Sequence, residues 1–292
     1  MKEFGIDISH WQGEFDFAKA IKEGVKFVVI KGGGGDGGLY VDNKFVRNYT
    51  EAKRHGLPVG VYWYSKALSI ADAEKEADYF YNHVLKDRQF ELPIYMDVEE
   101  KAQFDLGKKA LTDIIITWLN RLQNKKYWVG IYSSTYYLNA HIDDARLQNY
   151  AHWVAEWSNK CTYKGKNGVL GMWQFGGETN LLRTNKVAGV VCDQNYMLID
   201  YPKLIKQNKL NGYDKEKVEM PVAPPVVNTI KKGDKVRLSK EATSYGTSNK
   251  FYDFVYNSVL YVRELKGDRA VISTQSSGAV TGAVNIKYLT KI

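Results

Sequence analysis

Two cysteines in 292 residues, Cys161 and Cys192, are too few for a disulfide framework or a zinc ligand set. Both are expected as buried or half-buried thiols. The five histidines, His10, His55, His83, His141 and His152, form no H-E-x-x-H or comparable pattern, so no metal or other cofactor is expected. No apolar run approaches the ~20 residues of a membrane span, and with 44% hydrophobic and 25% charged residues the chain is expected to be globular, without membrane insertion. The opening "MKEFGIDISH" puts acid and a strand pattern where a signal peptide needs a basic and then an apolar segment; cytoplasmic synthesis without Sec-type export is the expectation.

Proline is scarce too, six in all, yet Pro221, Pro224 and Pro225 cluster in "EMPVAPPVVNT". Such a run favours an extended, semi-rigid linker. The chain is therefore divided into domain 1–212, linker 213–228 and domain 229–292, in keeping with its length. Charge divides the same way: the net charge is +8, and residues 229–292 hold 11 Lys and Arg against 5 Asp and Glu. A basic tail suits a polyanion, but nothing in it matches a nucleic-acid motif, so no nucleic acid is expected as partner. Its runs "DKVRLS", "VLYVREL", "RAVIST" and "GAVNIKYL", broken by turn residues, suggest a small all-β barrel. Tyr245, Phe251, Tyr252, Phe254 and Tyr256 form either its core or a binding groove.

Before the linker, β-rich runs alternate with amphipathic helical patterns, the sign of successive βα units. The strands are "FGIDIS", "KFVVIK", "PVGVYWYS", "PIYMDVE", "WVGIYSS", "HWVAEW", "VLGMWQF" and "GVVCDQN". Eight strands predict an α/β fold, a (β/α)8-like barrel, irregular because the last three leave little room for helices between them. Helices are expected over "DFAKAIKEG" and "VDNKFVRNYTEAKRHG", ending at Gly24 and Gly56, and over "IADAEKEADYFYNHVLK". The run "IKGGGGDGGLY" has no following Gly-Lys-Ser/Thr, so it is expected as a flexible rim loop rather than a phosphate loop.

The fourth strand ends "PIYMDVEEK". Side chains alternate along a strand, so Asp97 and Glu99 share one side while Val98 and Glu100 take the other. In a (β/α) barrel the C-terminal strand ends build the active site. Asp7 and Ser9 end the first strand, Tyr62 and Tyr64 the third, Tyr132 the fifth, Trp157 the sixth, Trp173 and Gln174 the seventh, and Asp193 with Asn195 the eighth. One rim thereby gathers four acids with rings suited to stacking on sugar faces.

"GIDISHWQG", "MDVE", "MWQF" and "CDQN", in this order, resemble the family 25 glycoside hydrolases over about residues 4–205. These are muramidases, or Chalaropsis-type lysozymes, and many are bacteriophage endolysins. The resemblance implies that Glu99 is the general acid/base and Asp97 its partner. Asp7 and Asp193 are then flanking acids, and Tyr62, Tyr64, Tyr132, Trp157, Trp173, Gln174 and Asn195 meet the substrate. It also implies cleavage of the β-1,4 bond between N-acetylmuramic acid and N-acetylglucosamine in bacterial peptidoglycan. The tail is similar to the SH3-like modules of such enzymes, with a wall polymer or peptide as its partner. Crowded like charges raise one acid's pKa, so Glu99 is expected to stay protonated and Asp97 ionised. Where the family more often reads Lys-Ala-Thr-Glu-Gly, this chain has the glycine run; Lys31 keeps its place. The rival readings are a metal-dependent wall-polymer deacetylase or amidase using the acids with His10, and a non-catalytic wall-binding protein on a hydrolase scaffold.

Overall fold

A computed structural model describes residues 2–164, 170–214 and 230–292. The chain forms two compact units, Met1–Val218 and Glu219–Ile292. Of the expected linker, all but Tyr213 and Asp214 lies outside the described residues or beyond 214.

In the first unit eight strands close into a barrel: β1 (Glu3–Ile8), β2 (Phe27–Gly34), β3 (Val59–Tyr64), β4 (Ile94–Asp97), β5 (Val129–Ser134), β6 (Ala151–Ala155), β7 (Met172–Gly176) and β8 (Asp193–Met197). From β1 to β7 each strand runs parallel to the next. β8 is antiparallel to both β7 and β1 and closes the ring. The reason lies in the connections, because a parallel neighbour requires a crossover. Helices α1 (Phe17–Lys22), α2 (Phe45–Arg54), α3 (Ile70–Phe80) and α4 (Lys108–Gln123) supply crossovers in the first half. Between β7 and β8 the described residues hold no α-helix, only the paired two-residue strands Lys186–Val187 and Val190–Val191. The chain therefore turns back at the top, and β8 descends. The irregularity expected from the short spacings is real, but an antiparallel strand was not anticipated.

Local signals explain the helices. Ser69 caps α3 by accepting from the Asp72 N–H, and Gly24 and Gly56, past the ends of α1 and α2, take φ +100° and +72°. α4 turns Leu111, Ile115, Trp118, Leu119 and Leu122 onto the barrel. The pleat then makes two cores. Outward residues such as Val28, Ile30, Val61, Met96 and Ile131 meet the helices, while Phe27, Val29, Tyr95, Trp153, Met172 and Met197 belong to a second, interior layer.

The glycine run is strand in its first half and an exposed turn over residues 36–38. β2 continues through Gly32, Gly33 and Gly34, and the short strand Tyr40–Val41 folds back upon it. A Cβ on Gly33 would lie 2.0 Å from the Tyr40 carbonyl oxygen. The glycine is there for close backbone approach, not for mobility.

The second unit is an antiparallel sheet of β9 (Lys235–Leu238), β10 (Leu260–Lys266), β11 (Arg269–Ser273), β12 (Gly282–Asn285) and β13 (Leu289–Lys291), in the order β12-β11-β10-β9-β13. No pair closes it into a barrel among the described residues. Its core holds Val236, Leu260, Val262, Ile272 and Val284. The clustered aromatics divide: Phe251 and Tyr256 pack against that core, whereas Tyr252 and Phe254 are exposed.

Beneath the barrel, fully buried Asn211 accepts from the Trp128 N–H at 2.6 Å and donates to the Leu92 carbonyl at 2.8 Å, while Tyr213 reaches Glu91. The barrel unit thus continues past the boundary of 212 drawn from sequence. Asn211 has φ +54°, a conformation asparagine tolerates better than alanine. Asn211→Ala leaves the buried Leu92 carbonyl and the half-buried Trp128 N–H unpaired and strains the backbone, so it is expected to cost about 3 kcal/mol. All seven tryptophans precede residue 174, so their fluorescence in a urea titration reports the barrel unit alone. A loss under ~0.5 kcal/mol would refute this role for Asn211.

Candidate active site

The same pleat that builds the interior layer turns Asp7, Lys31, Tyr62, Tyr64, Asp97, Tyr132, Gln174 and Asp193 inward at the barrel mouth. With Glu99, Ser9 and Trp153 they line one cleft. Asp193 reaches it from the first residue of descending β8, not from the end of an ascending strand, and stands directly across from Asp7.

Three residues expected at the site do not line the cleft. Alternation turns Trp173 outward, where it is buried against Phe175 and Tyr196 and donates to the Glu156 carbonyl at 2.8 Å. Asn195 is fully buried one layer below the cleft. Trp157 stands beside the cleft and donates to Gln174 Oε1 at 3.0 Å. Trp11, Gln12, Lys31 and Trp153 were not named as site residues. For Trp153 the signal was present, since period-two counting back from Trp157 reaches it. Trp11 needed the structure: Ser9 caps the turn His10–Gln12 and leaves the indole largely exposed at the rim.

Hydrogen bonds order the floor of the cleft. Asp7 Oδ2 accepts from Asn195 Nδ2 at 2.7 Å and from Gln174 Nε2 at 3.1 Å. Gln174 Oε1 accepts from the Tyr132 hydroxyl at 2.8 Å, and Asn195 Oδ1 accepts from Trp153 Nε1 at 2.7 Å. Asp97 Oδ1 is buried and has no hydrogen-bond partner among the described residues. Glu100 turns to Lys66, 2.7 Å away, and to the Tyr64 hydroxyl; those bonds hold its carboxyl below the usual range. Of the three adjacent acids, only Asp97 and Glu99 serve the cleft.

Loss of hydration is the chief reason that the cleft acids hold protons. It pushes Asp7 up to about 6, against its two amide donors. Asp193 goes up to about 8, with Asp7 and Glu99 adding to the effect. Asp97 is raised well above the carboxylate range by burial and then by Glu99. Glu99 is raised by the same loss, opposed by the Tyr132 hydroxyl and by Lys31. The expected split, with Asp97 ionised beside a protonated Glu99, is not what this geometry favours. Asp97 is 5% exposed whereas Glu99 is open to solvent at the mouth, so burial acts hardest on the aspartate. Lys31, the one cation among the lining residues, lies 4.6 Å from the Tyr64 ring centroid.

His10 is paired with Asp42 at 2.7 Å and is not among the lining residues. Among the described residues no group of three or more His, Cys, Asp or Glu stands as a metal ligand set. Cys161 and Cys192 are free, half-buried and buried respectively.

A barrel whose mouth gathers carboxyls that hold their protons to different pH beside aromatic rings has the make-up of a glycoside hydrolase site. Residues 6–182, more than half the chain, match the pattern of glycosyl hydrolases family 25. The chain belongs to that family of glycoside hydrolases. It is 26% identical over 219 residues to lysozyme M1 of Streptomyces globisporus, covering 71% of this chain and 67% of that one. It is 29% identical over 157 residues to the autolytic lysozyme of Clostridium acetobutylicum, covering 52% and 44%. The chain thus spans about half to two thirds of the length of these curated relatives. The crystal structure of the lysozyme from Streptomyces coelicolor shares the fold with a TM-score of 0.60 at 23% identity, over 73% of this chain and 99% of that one.

Raised carboxyl pKa values have a cost in stability. Above the ordinary value of 3.8 the unfolded chain releases the Asp7 and Asp193 protons, while the folded chain keeps them up to about 6 and about 8. Stability therefore falls as pH rises through this window. Asp193→Asn removes one such group. It is expected to stabilise the fold at pH 7.5 by on the order of 1–3 kcal/mol and to change little at pH 4. Equal effects at both pH values in thermal unfolding would contradict the proton retention.

Proposed function

We propose that this protein is an N-acetylmuramidase, cleaving the β-1,4 bond between N-acetylmuramic acid and N-acetylglucosamine in peptidoglycan. The observation that carries the reading is the placement of Asp97 and Glu99 on one side of a strand end, with Asp97 Oδ1 without a hydrogen-bond partner among the described residues in a cleft of four acids. Glu99, open to solvent and raised in pKa, gives its proton to the leaving glycosidic oxygen. Asp97 takes the N-acetyl group through its unengaged oxygen. The acetamide oxygen then attacks the anomeric carbon as the glycosidic bond breaks, and water opens that intermediate with Glu99 as base. The Asp7 carboxylate faces the positive charge that develops on the sugar. Tyr62, Tyr64 and Trp11 offer rings for sugar faces. The lysozyme names of the relatives support the same substrate.

The reading extends to the whole chain as a phage-type endolysin. The basic second unit is an SH3-like module holding the enzyme at the wall, and release to the wall depends on a separate membrane-permeabilising protein. Production of reducing muramic acid ends separates this from the deacetylase, amidase and non-catalytic readings.

Glu99→Gln keeps the shape but removes the proton, and is expected to lower turnover by on the order of 10²–10⁴-fold with unfolding unchanged. Turbidity clearing at the wild-type rate would end the assignment. Truncation after Val218, which keeps Tyr213, is expected to retain hydrolysis of solubilised glycan while clearing intact cells at least ~10-fold more slowly, by loss of local concentration. Equal clearing by both forms would remove the targeting role.

A further inference from the structure

Glu100 completes the run of three acids yet does not line the cleft. Bonds between the tops of β3 and β4 hold it aside. Lys66 Nζ lies 2.7 Å from Glu100 Oε1 and 3.6 Å from Asp36 Oδ1 in the glycine turn, and the Tyr64 hydroxyl donates to the same Glu100 oxygen. The side chains of Lys66 and Glu100 are only 30% and 24% exposed.

Both partners are anchored through their backbones. Glu76, buried on α3, accepts from the Lys66 N–H and from Trp63 Nε1, each at 2.9 Å. The glycine run packs against this joint: a Cβ on Gly35 would lie 2.5 Å from Glu76 Oε1 and 3.2 Å from the Lys66 Cβ. At the other partner, Gln103 accepts from the Glu100 N–H at 3.4 Å and donates to Ser65 Oγ and to the Ala67 carbonyl, each at 3.3 Å. An ion pair anchored at both ends loses less to side-chain freedom than one between two loose surface chains.

We propose that Lys66 and Glu100 form an anchored charge pair that keeps the third acid out of the cleft and balances the charge beside Glu99, the proton donor. Both are positioning residues. Their part deepens the muramidase reading and rests on Glu99 being its donor. Glu100 follows Glu99 in the chain, so a change of charge at the pair is felt at Glu99. The directions agree: Lys66 holds the Glu100 carboxyl low, and the Glu100 charge raises both Glu99 and Asp97. Facing Glu100 are Lys66 and Tyr64, with Asp36 and Glu76 behind Lys66. The adjacent Lys101 is paired with Asp105 at 2.6 Å. Facing Glu99 are Asp97, Lys31 and Tyr132, with Asp7 and Asp193 across the cleft. All of these stay in place when the pair is altered, so the sign of the effect belongs to the pair.

Three variants of the full chain give three different signs. Lys66→Met leaves an unbalanced anion beside Glu99, so the alkaline limb of the kcat/KM profile on solubilised peptidoglycan moves up by about 0.3–0.8 pH unit. Glu100→Gln leaves an unbalanced cation and moves that limb down by a similar amount. The double variant Lys66→Met/Glu100→Gln has neither charge, and its limb returns to within about 0.2 pH unit of the wild type. Shifts of the same sign in both single variants, or a double variant no nearer the wild type than the singles, overturn the proposal. A lower rate at every pH with the limb in place marks a merely structural role and overturns it too. If turnover falls too low to follow, ¹³C titration of the Glu99 carboxyl in the folded variants reads the same three signs. Wild-type activity in Glu99→Gln strikes the muramidase reading instead, and the ¹³C shifts still decide whether the pair acts on Glu99.

Discussion

Four carboxyl groups crowded against one ammonium at a barrel mouth are the constraint on which the rest of the site depends. Asp7, Asp97, Glu99 and Asp193 line the same cleft as Lys31. Like charges this close in a partly dehydrated space cannot all ionise, so the cleft retains protons at a pH where free carboxyls have lost them. This is unfavourable for folding and useful for chemistry, because an acid that still holds a proton near neutrality can give it to a leaving group. The remainder of the barrel must hold the crowd together. Below it lie the aromatic interior around Tyr95 and Trp153 and, further down, the buried Asn211 stitch.

The descending β8 matters to this arrangement. An eighth parallel strand would bring a residue to the mouth only at its C-terminal end. By turning back at the top, the chain instead delivers Asp193 from its first residue, directly opposite Asp7, and Asn195 one layer lower, beneath the Asp7 carboxyl. Gly177, at the start of that turn, has no room for a Cβ, which would lie 1.9 Å from Asp193 Oδ1. The loss of a crossover helix and the gain of a fourth acid are one structural event.

Much of this was legible in the sequence because strand alternation is a strict rule. The eight strands, the shared side of Asp97 and Glu99, and the glycine stops after α1 and α2 follow from local pattern. What escaped depends on neighbours distant in sequence. The direction of β8 is decided by what the chain does between residues 177 and 192. The outward face of Trp173 follows from the same alternation that places Gln174 inward, so both could not belong to the cleft. The glycine run looked mobile because sequence does not show the Tyr40 carbonyl resting on Gly33. The charge state of Asp97 turned on burial, which spacing alone does not reveal.

The central claim concerns where protons reside, and ¹³C NMR titration of the Asp and Glu side-chain carboxyl carbons in the full-length chain tests it most directly. Assignment would rest on the four single amide variants. The account predicts that at pH 7 the Asp7 carbon has mostly the shift of a carboxylate, while the Asp193 carbon still has the shift of a protonated acid and the Asp97 carbon titrates above the ordinary aspartate range. If all four carbons complete their titration below about pH 5, as free carboxyls do, the crowding does not hold protons and the account fails.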